Sequence, residues 1–153
     1  MFDLQPASDR LAADPPCIDE FGVVPWDYDR TGALRFLLVA AREDARWTVP
    51  KGRLIAEMSP RETAMREAFN EAGAIGRVDP NPLGRFTYRR PSPSGEDVWH
   101  AATLFSMRVN GTLLNWPEKA DRKRHWFEHH QALTAIDDPN LRNLLIRAFA
   151  AAL

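Results

Sequence analysis

Glu67 and Glu71 stand one helical turn apart in the segment GRLIAEMSPRETAMREAFNEAG, which runs from Gly52 to Gly73. On a helix that spacing aims two carboxylates at one point, and a point shared by two anions calls for a cation. Carboxylate oxygens are hard ligands suited to Mg²⁺, with Mn²⁺ as a substitute, and no histidine or cysteine lies nearby to favour a softer metal. Such an ion takes its remaining ligands from water and substrate phosphates, polarises phosphoryl oxygens and lowers the pKa of water. The chemistry this suggests is hydrolysis of a phosphoanhydride in a small phosphate substrate.

The elements that must hold these groups can be read around them. Ser59, Pro60 and Glu62 supply an N-cap hydroxyl, a proline at the first helical position and a capping-box glutamate; Gly73 supplies a stop. They predict a helix from about Pro60 to Ala72. At 3.6 residues per turn, Met65, Ala68, Phe69 and Ala72 form its apolar face, and Glu67, Asn70 and Glu71 lie opposite. Upstream, CIDEFGVVPW (17–26) and ALRFLLVAAR (33–42) read as neighbouring strands joined by a turn, and 47–50 as a short extended piece stopped at Lys51 and Gly52. Downstream, strands are expected over 80–90, 98–109 and 125–128, followed by an apolar-periodic segment over 131–136 and a last helix from about Asn140. Helices interspersed among strands with an antiparallel start predict an α/β fold, a mixed sheet covered by helices.

Composition bounds the rest. The 153 residues are 44% hydrophobic and 27% charged, enough for one core. Residues 1–16 read as a flexible N-terminal arm and 17–153 as one domain. A net charge of −1 predicts no broad nucleic-acid surface, which disfavours an RNA-end substrate. No stretch is apolar for long enough to be a membrane span or signal peptide, and Cys17 has no intrachain partner for a disulfide, so a cytoplasmic protein is expected. Oligomeric state is not written in the sequence. Seventeen of the 20 basic residues are arginines, whose planar forks suit phosphate. Substrate-binding candidates are Lys51 and Gly52 at the mouth of the site, with Arg42, Arg46 and Arg89; Arg90 and the late cluster Lys119, Arg122, Lys123 and Arg124 are further cations. Trp47, Phe86, Tyr88, Trp99, Trp116 and Trp126 are candidate base-stacking residues. His100 reads as structural.

Gly52, Arg66, Glu67, Glu71 and Gly73 fall in register with the pattern G-x5-E-x7-R-E-U-x-E-E-x-G-U, where U is bulky and aliphatic. The chain therefore resembles the Nudix hydrolases, and the FGVVPW, RWTVPKG, WPE and HW elements are similar to a bacterial branch related to diadenosine polyphosphate and diphosphoinositol polyphosphate hydrolases. The resemblance implies an α/β/α sandwich and metal-dependent hydrolysis of a nucleoside diphosphate linked to another group, with a dinucleoside polyphosphate favoured. It implies that Glu67 and Glu71 are metal ligands, that Glu67 or a nearby glutamate orients water, and that Arg66 holds a glutamate by an ion pair. Gly52 would let its loop pack on the helix.

Two positions depart from the pattern. Met58 replaces its first glutamate, and a thioether is a poor magnesium ligand; Glu57 is either a neighbouring substitute or a solvated loop charge. Asn70 replaces a metal-binding glutamate. Its amide oxygen can coordinate, but a full charge is lost, worth about 8 kcal/mol against a dication at about 4 Å and an effective dielectric of 20, before screening. A carboxylate from a later loop, Glu96, Glu118 or Glu128, could compensate. The alternative reading is a weakened module of the same fold that binds a nucleotide or polyphosphate without turnover.

Overall fold

The computed structural model describes residues 16–152. All but the last residue of the expected arm lies outside them. Six strands form one mixed sheet in the order β4-β5-β1-β2-β6, with β3 paired to β1. The strands are β1 (Cys17–Tyr28), β2 (Leu34–Ala41), β3 (Lys51–Arg53), β4 (Ala74–Pro91), β5 (Asp97–Thr112) and β6 (Arg122–Glu128). β1 and β5 run parallel, and every other pairing is antiparallel. Helix α1 (Pro60–Ala72) covers one face; α2 (His129–Ala135) and α3 (Pro139–Ala148) cover the other, and a 3₁₀ turn follows at Ala150–Ala152.

The predicted signals set α1 at both ends. Ser59 accepts from the Glu62 N–H while the Glu62 carboxylate accepts from the Ser59 N–H, closing the capping box. Gly73 adopts φ 61°, and its N–H returns to the last turn of the helix. The buried face, however, is Ala64, Ala68 and Ala72 with Thr63 and Glu71, whereas Met65 is exposed. Three alanines at i, i+4 spacing let the helix approach Val23, Leu37, Val39, Phe105 and Met107 closely, so side-chain size decides the face rather than hydrophobicity.

Two further expectations shift. Lys51 and Gly52 do not stop a strand but form one, β3, paired with Glu20–Gly22 of β1; the upstream piece contributes only a bridge between Thr48 and Val39. β4 begins directly after α1 and continues for 18 residues, with irregularities at Ile75/Gly76, Val78/Pro82 and Pro82/Gly84 that carry it past two prolines. β3 sets the Gly52 end of the Gly52–Gly73 segment against β1, and the Gly73 end meets Leu113, Trp116 and Arg124.

Candidate active site

α1 presents Glu67 and Glu71 toward β3. An added Cβ on Gly52 would stand 1.9 Å from the Glu67 carboxylate oxygen, so the absence of a side chain is what lets this loop close on the helix. A third carboxylate, Glu118, arrives from the β5–β6 connection, and one oxygen from each of the three lies within 4.8 Å of the others. Several bonds tie that connection to the C-terminal end of α1. The Glu118 N–H donates to the Asn70 carbonyl (2.9 Å), the Leu113 N–H donates to the Gly73 carbonyl (2.9 Å), and Arg124 donates to the Ala72 carbonyl (2.7 Å) while stacking on Trp116.

The cluster is electrostatically tense. Burial, and then repulsion from Glu67 and Glu118, pushes the Glu71 carboxyl up to about 8 against the pull of Arg122 and Lys51. Burial and the neighbouring Glu118 raise Glu67 as well. Arg122 lies 2.7 Å from Glu118 and 3.6 Å from Glu71. Three hard oxygen donors, close together, with Glu71 buried and Glu67 and Glu118 half-buried, fit a divalent cation such as Mg²⁺.

Beside them opens a cleft of about 350 Å³. Glu71 and Arg122 belong both to the cluster and to its wall; Lys51, Arg90, Trp47 and Tyr88 line it further out. Lys51 donates to Thr48 (3.2 Å) and lies over the Tyr88 ring; burial lowers its pKa, while Glu20 and Glu71 act to keep it charged. Glu20, buried on β1, accepts a hydrogen bond from the Tyr88 hydroxyl, and burial together with this bond raises the tyrosine pKa. His100 stacks on Tyr88 with its Nδ1 3.4 Å from Glu20.

The remaining expected site residues are dispersed. Arg46 lines the cleft but is paired with Asp44. Arg42 donates twice to the Lys119 carbonyl, which supports the Glu118 connection. Arg89 pairs with Asp97 over Trp99, and its neighbour Arg90 takes the cleft wall. Arg66 is exposed and makes no ion pair among the described residues; the arginine that meets the glutamates is Arg122. The Asn70 side chain, next to Glu67, acts against the upward shift of that carboxyl. Glu57 is an exposed turn residue at φ 67°, Glu96 an exposed hairpin residue, and Glu128 the N-cap of α2; none of these three joins the cluster. Of the aromatic candidates, Trp47, Phe86 and Tyr88 line the cleft; Trp99, Trp116 and Trp126 each carry an arginine on one face instead.

Sequence reasoning missed Glu20 and undervalued Arg122. A carboxylate beside the apolar run FGVVPW of β1 was the available signal for Glu20, and Asp19 shares it. For Arg122, four cations within six residues gave no means of choosing one.

An α/β/α sandwich carrying an acidic helix behind a glycine loop, with cations and aromatic rings in the adjoining cleft, defines a class of phosphate-handling domains. The NUDIX domain profile matches residues 19–148, and the chain belongs to that family. Nudix hydrolase 4 of Arabidopsis thaliana is 30% identical over 118 residues, covering 72% of this chain and 55% of that one. Diphosphoinositol polyphosphate phosphohydrolase 3-beta of Bos taurus is 30% identical over 102 residues, 65% of this chain and 58% of its own length. The chain thus spans little more than half of these curated relatives. Among solved structures, an Ap4A hydrolase of Caenorhabditis elegans in a binary complex superposes with a TM-score of 0.64 at 22% identity, covering 88% of this chain and 96% of that one. A MutT protein of Methanosarcina mazei Go1 gives a TM-score of 0.68 at 16% identity, with coverages of 90% and 96%. These likenesses establish the mixed-sheet fold expected from the sequence.

Proposed function

We propose that the protein is a Mg²⁺-dependent hydrolase of phosphoanhydride bonds in polyphosphate compounds, with Mn²⁺ able to substitute. The observation that carries this reading is the approach of Glu118 to Glu67 and Glu71, which restores by a loop the charge that Asn70 does not provide. These three residues would hold the ion, which when bound supplies Lewis-acid polarisation of the phosphoryl oxygens. Glu67, only half-buried, orients the attacking water and takes its proton. Lys51, Arg90 and Arg122 hold the phosphate chain and offset the charge that develops on the leaving oxygen. Gly52 keeps Glu67 in place.

A dinucleoside polyphosphate suits the cleft better than an inositol ring phosphorylated all round. Asp44, Asp137 and Asp138 line it along with Glu20, and Asp44 already engages Arg46, so a second crowded set of phosphates would meet carboxylates. A nucleoside meets Trp47, half-buried on the cleft wall and a surface on which a base can stack. The similarity to proteins named as an Ap4A hydrolase and as a diphosphoinositol polyphosphate phosphohydrolase sets these two substrate classes as the ones to compare.

No helix among the described residues is long and apolar enough to cross a membrane. Relatives named as mitochondrial and chloroplastic exist, and we infer a cytoplasmic setting from composition alone.

The second reading, binding without turnover, draws support from Arg122, which offsets part of the negative charge that a cation would need. Assay of dinucleoside polyphosphates and diphosphoinositol polyphosphates with Mg²⁺ and Mn²⁺ separates the two. Product release that Glu71→Gln abolishes supports the hydrolase; tight binding with no product in either metal supports the module.

A further inference from the structure

We propose that Arg122 is a mobile counter-ion that occupies the carboxylate cluster until a divalent cation enters and then turns to the phosphate of the substrate. Metal and substrate binding are thereby coupled. The inference rests on the metal-site reading above and deepens it.

The charges around the cluster lead to this assignment. Glu67, Glu71 and Glu118 face two cations, Arg122 and Lys51, and Asn70 adds no charge. A dication entering this set is attracted by three carboxylates and repelled by both side chains. Lys51 is held in place, its ammonium donating to Thr48 and lying over the Tyr88 ring. Arg122 can move. It sits at the start of β6, its side chain is one-third exposed, and its contacts to the cluster are one bond from its Nε to Glu118 (2.7 Å) and a looser approach of an Nη to Glu71 (3.6 Å). It also lines the cleft beside Lys51 and Arg90, so leaving the carboxylates turns its fork toward the space in which phosphates would lie. Two bound ligands then relieve one another: the cation frees the arginine for the phosphate, and the phosphate removes the arginine from the metal ligands. Reciprocal coupling of this kind is a thermodynamic necessity once one group serves both sites.

A purely structural role for Arg122 makes the opposite forecast. If its bond served only to hold Glu118 in position, removing it would loosen a ligand and weaken metal binding. The sign of the change in Mn²⁺ affinity therefore decides. Free Mn²⁺ is followed by electron paramagnetic resonance with wild type, Arg122→Gln, Arg122→Lys and Glu71→Gln, and binding of Mn²⁺-loaded methylenediphosphonate is measured separately by calorimetry. Arg122→Gln is expected to bind Mn²⁺ roughly three- to ten-fold more tightly than wild type, and Mn²⁺-methylenediphosphonate more weakly by a similar factor. Arg122→Lys, which keeps the charge, stays within about two-fold of wild type for Mn²⁺. Weaker or unchanged Mn²⁺ binding in Arg122→Gln overturns the proposal, as does an Arg122→Lys variant that binds as tightly as the glutamine. Should Arg122→Gln fail to fold, the lysine variant decides alone: retained Mn²⁺ affinity with at least three-fold weaker binding of the diphosphonate supports the role, and any other pattern ends it. Loss of Mn²⁺ binding in Glu71→Gln but not in wild type separates these outcomes from failure of the metal site itself; a wild type that binds no Mn²⁺ overturns both.

Discussion

The backbone N–H of Glu118 donates to the carbonyl of Asn70 at 2.9 Å, so the position that lacks a carboxylate anchors the loop that brings one. This bond explains how the acidic cluster reaches three members without a glutamate at residue 70. Glu118→Gln is expected to weaken Mg²⁺ affinity and turnover by roughly 100-fold, at least the upper range seen for losing a supporting group around a metal. Asn70→Glu should raise metal affinity in the wild-type background and recover part of the loss in the Glu118→Gln background. Calorimetric titration of the four proteins with Mn²⁺ checks this, and a gain from Asn70→Glu no larger in the Glu118→Gln background than in wild type would show that the two side chains do not serve one ion.

Metal-free stability carries the signature of Glu71. Its carboxyl sits near 8 in the folded protein, chiefly through burial, against an ordinary value of 4.5. Between those values the folded state holds a proton that the unfolded state has released, so stability is greatest below about pH 4.5 for this group and falls as pH rises toward 8. Burial lowers the Lys51 pKa and gives the opposite slope at higher pH, so the comparison must be made between variants. In EDTA the melting temperature of wild type should fall relative to Glu71→Gln from pH 5 to pH 8, leaving the glutamine variant about 3 °C or more ahead at pH 8. Added Mg²⁺ should close that gap for wild type only.

What the sequence made legible was local. Ser59, Pro60, Glu62 and Gly73 fixed the ends of α1 because caps act within a single turn, and the Glu67–Glu71 spacing needed nothing beyond helical geometry. The choice of Glu118 over Glu96 and Glu128 depended on where a loop lands after a 16-residue strand, which no local rule supplies. Arg89 and Arg90 could not be told apart for a related reason. Adjacent strand residues face opposite sides, and the irregularities near Val78, Pro82 and Gly84 reset that alternation before it reaches them. Arg66 and Arg122 show the same divide: the motif pointed to the arginine next in sequence, and the fold supplies one from another strand.

Gly52 offers a test of position without a change in charge. A methyl group there would meet the Glu67 Oε2 at 1.9 Å and its Cδ at 2.7 Å, and the glutamate is the flexible partner. Gly52→Ala should therefore fold with a melting temperature within a few degrees of wild type while Glu67 swings out of the cluster. Displacing a catalytic group by about 1 Å costs on the order of 100-fold. We expect kcat to fall by about that factor with KM little changed. Equal losses in stability and turnover would instead show that the loop itself had been disrupted.

Lys51 distinguishes a phosphate ligand from a structural counter-ion. Its ammonium touches Thr48 and lies over Tyr88, and Glu20 and Glu71 act to keep it charged, so either role accounts for its position. Methionine matches its length and removes its charge. If Lys51 binds the phosphate chain, Lys51→Met should raise KM about ten-fold, the worth of one charge-assisted hydrogen bond, with stability held or increased because a desolvated charge has gone. If it chiefly neutralises the two glutamates, the same change leaves buried carboxylates uncompensated, the melting temperature falls, and KM moves little. Measuring both quantities on one preparation decides, since a ligand role moves KM and a counter-ion role moves the melting temperature.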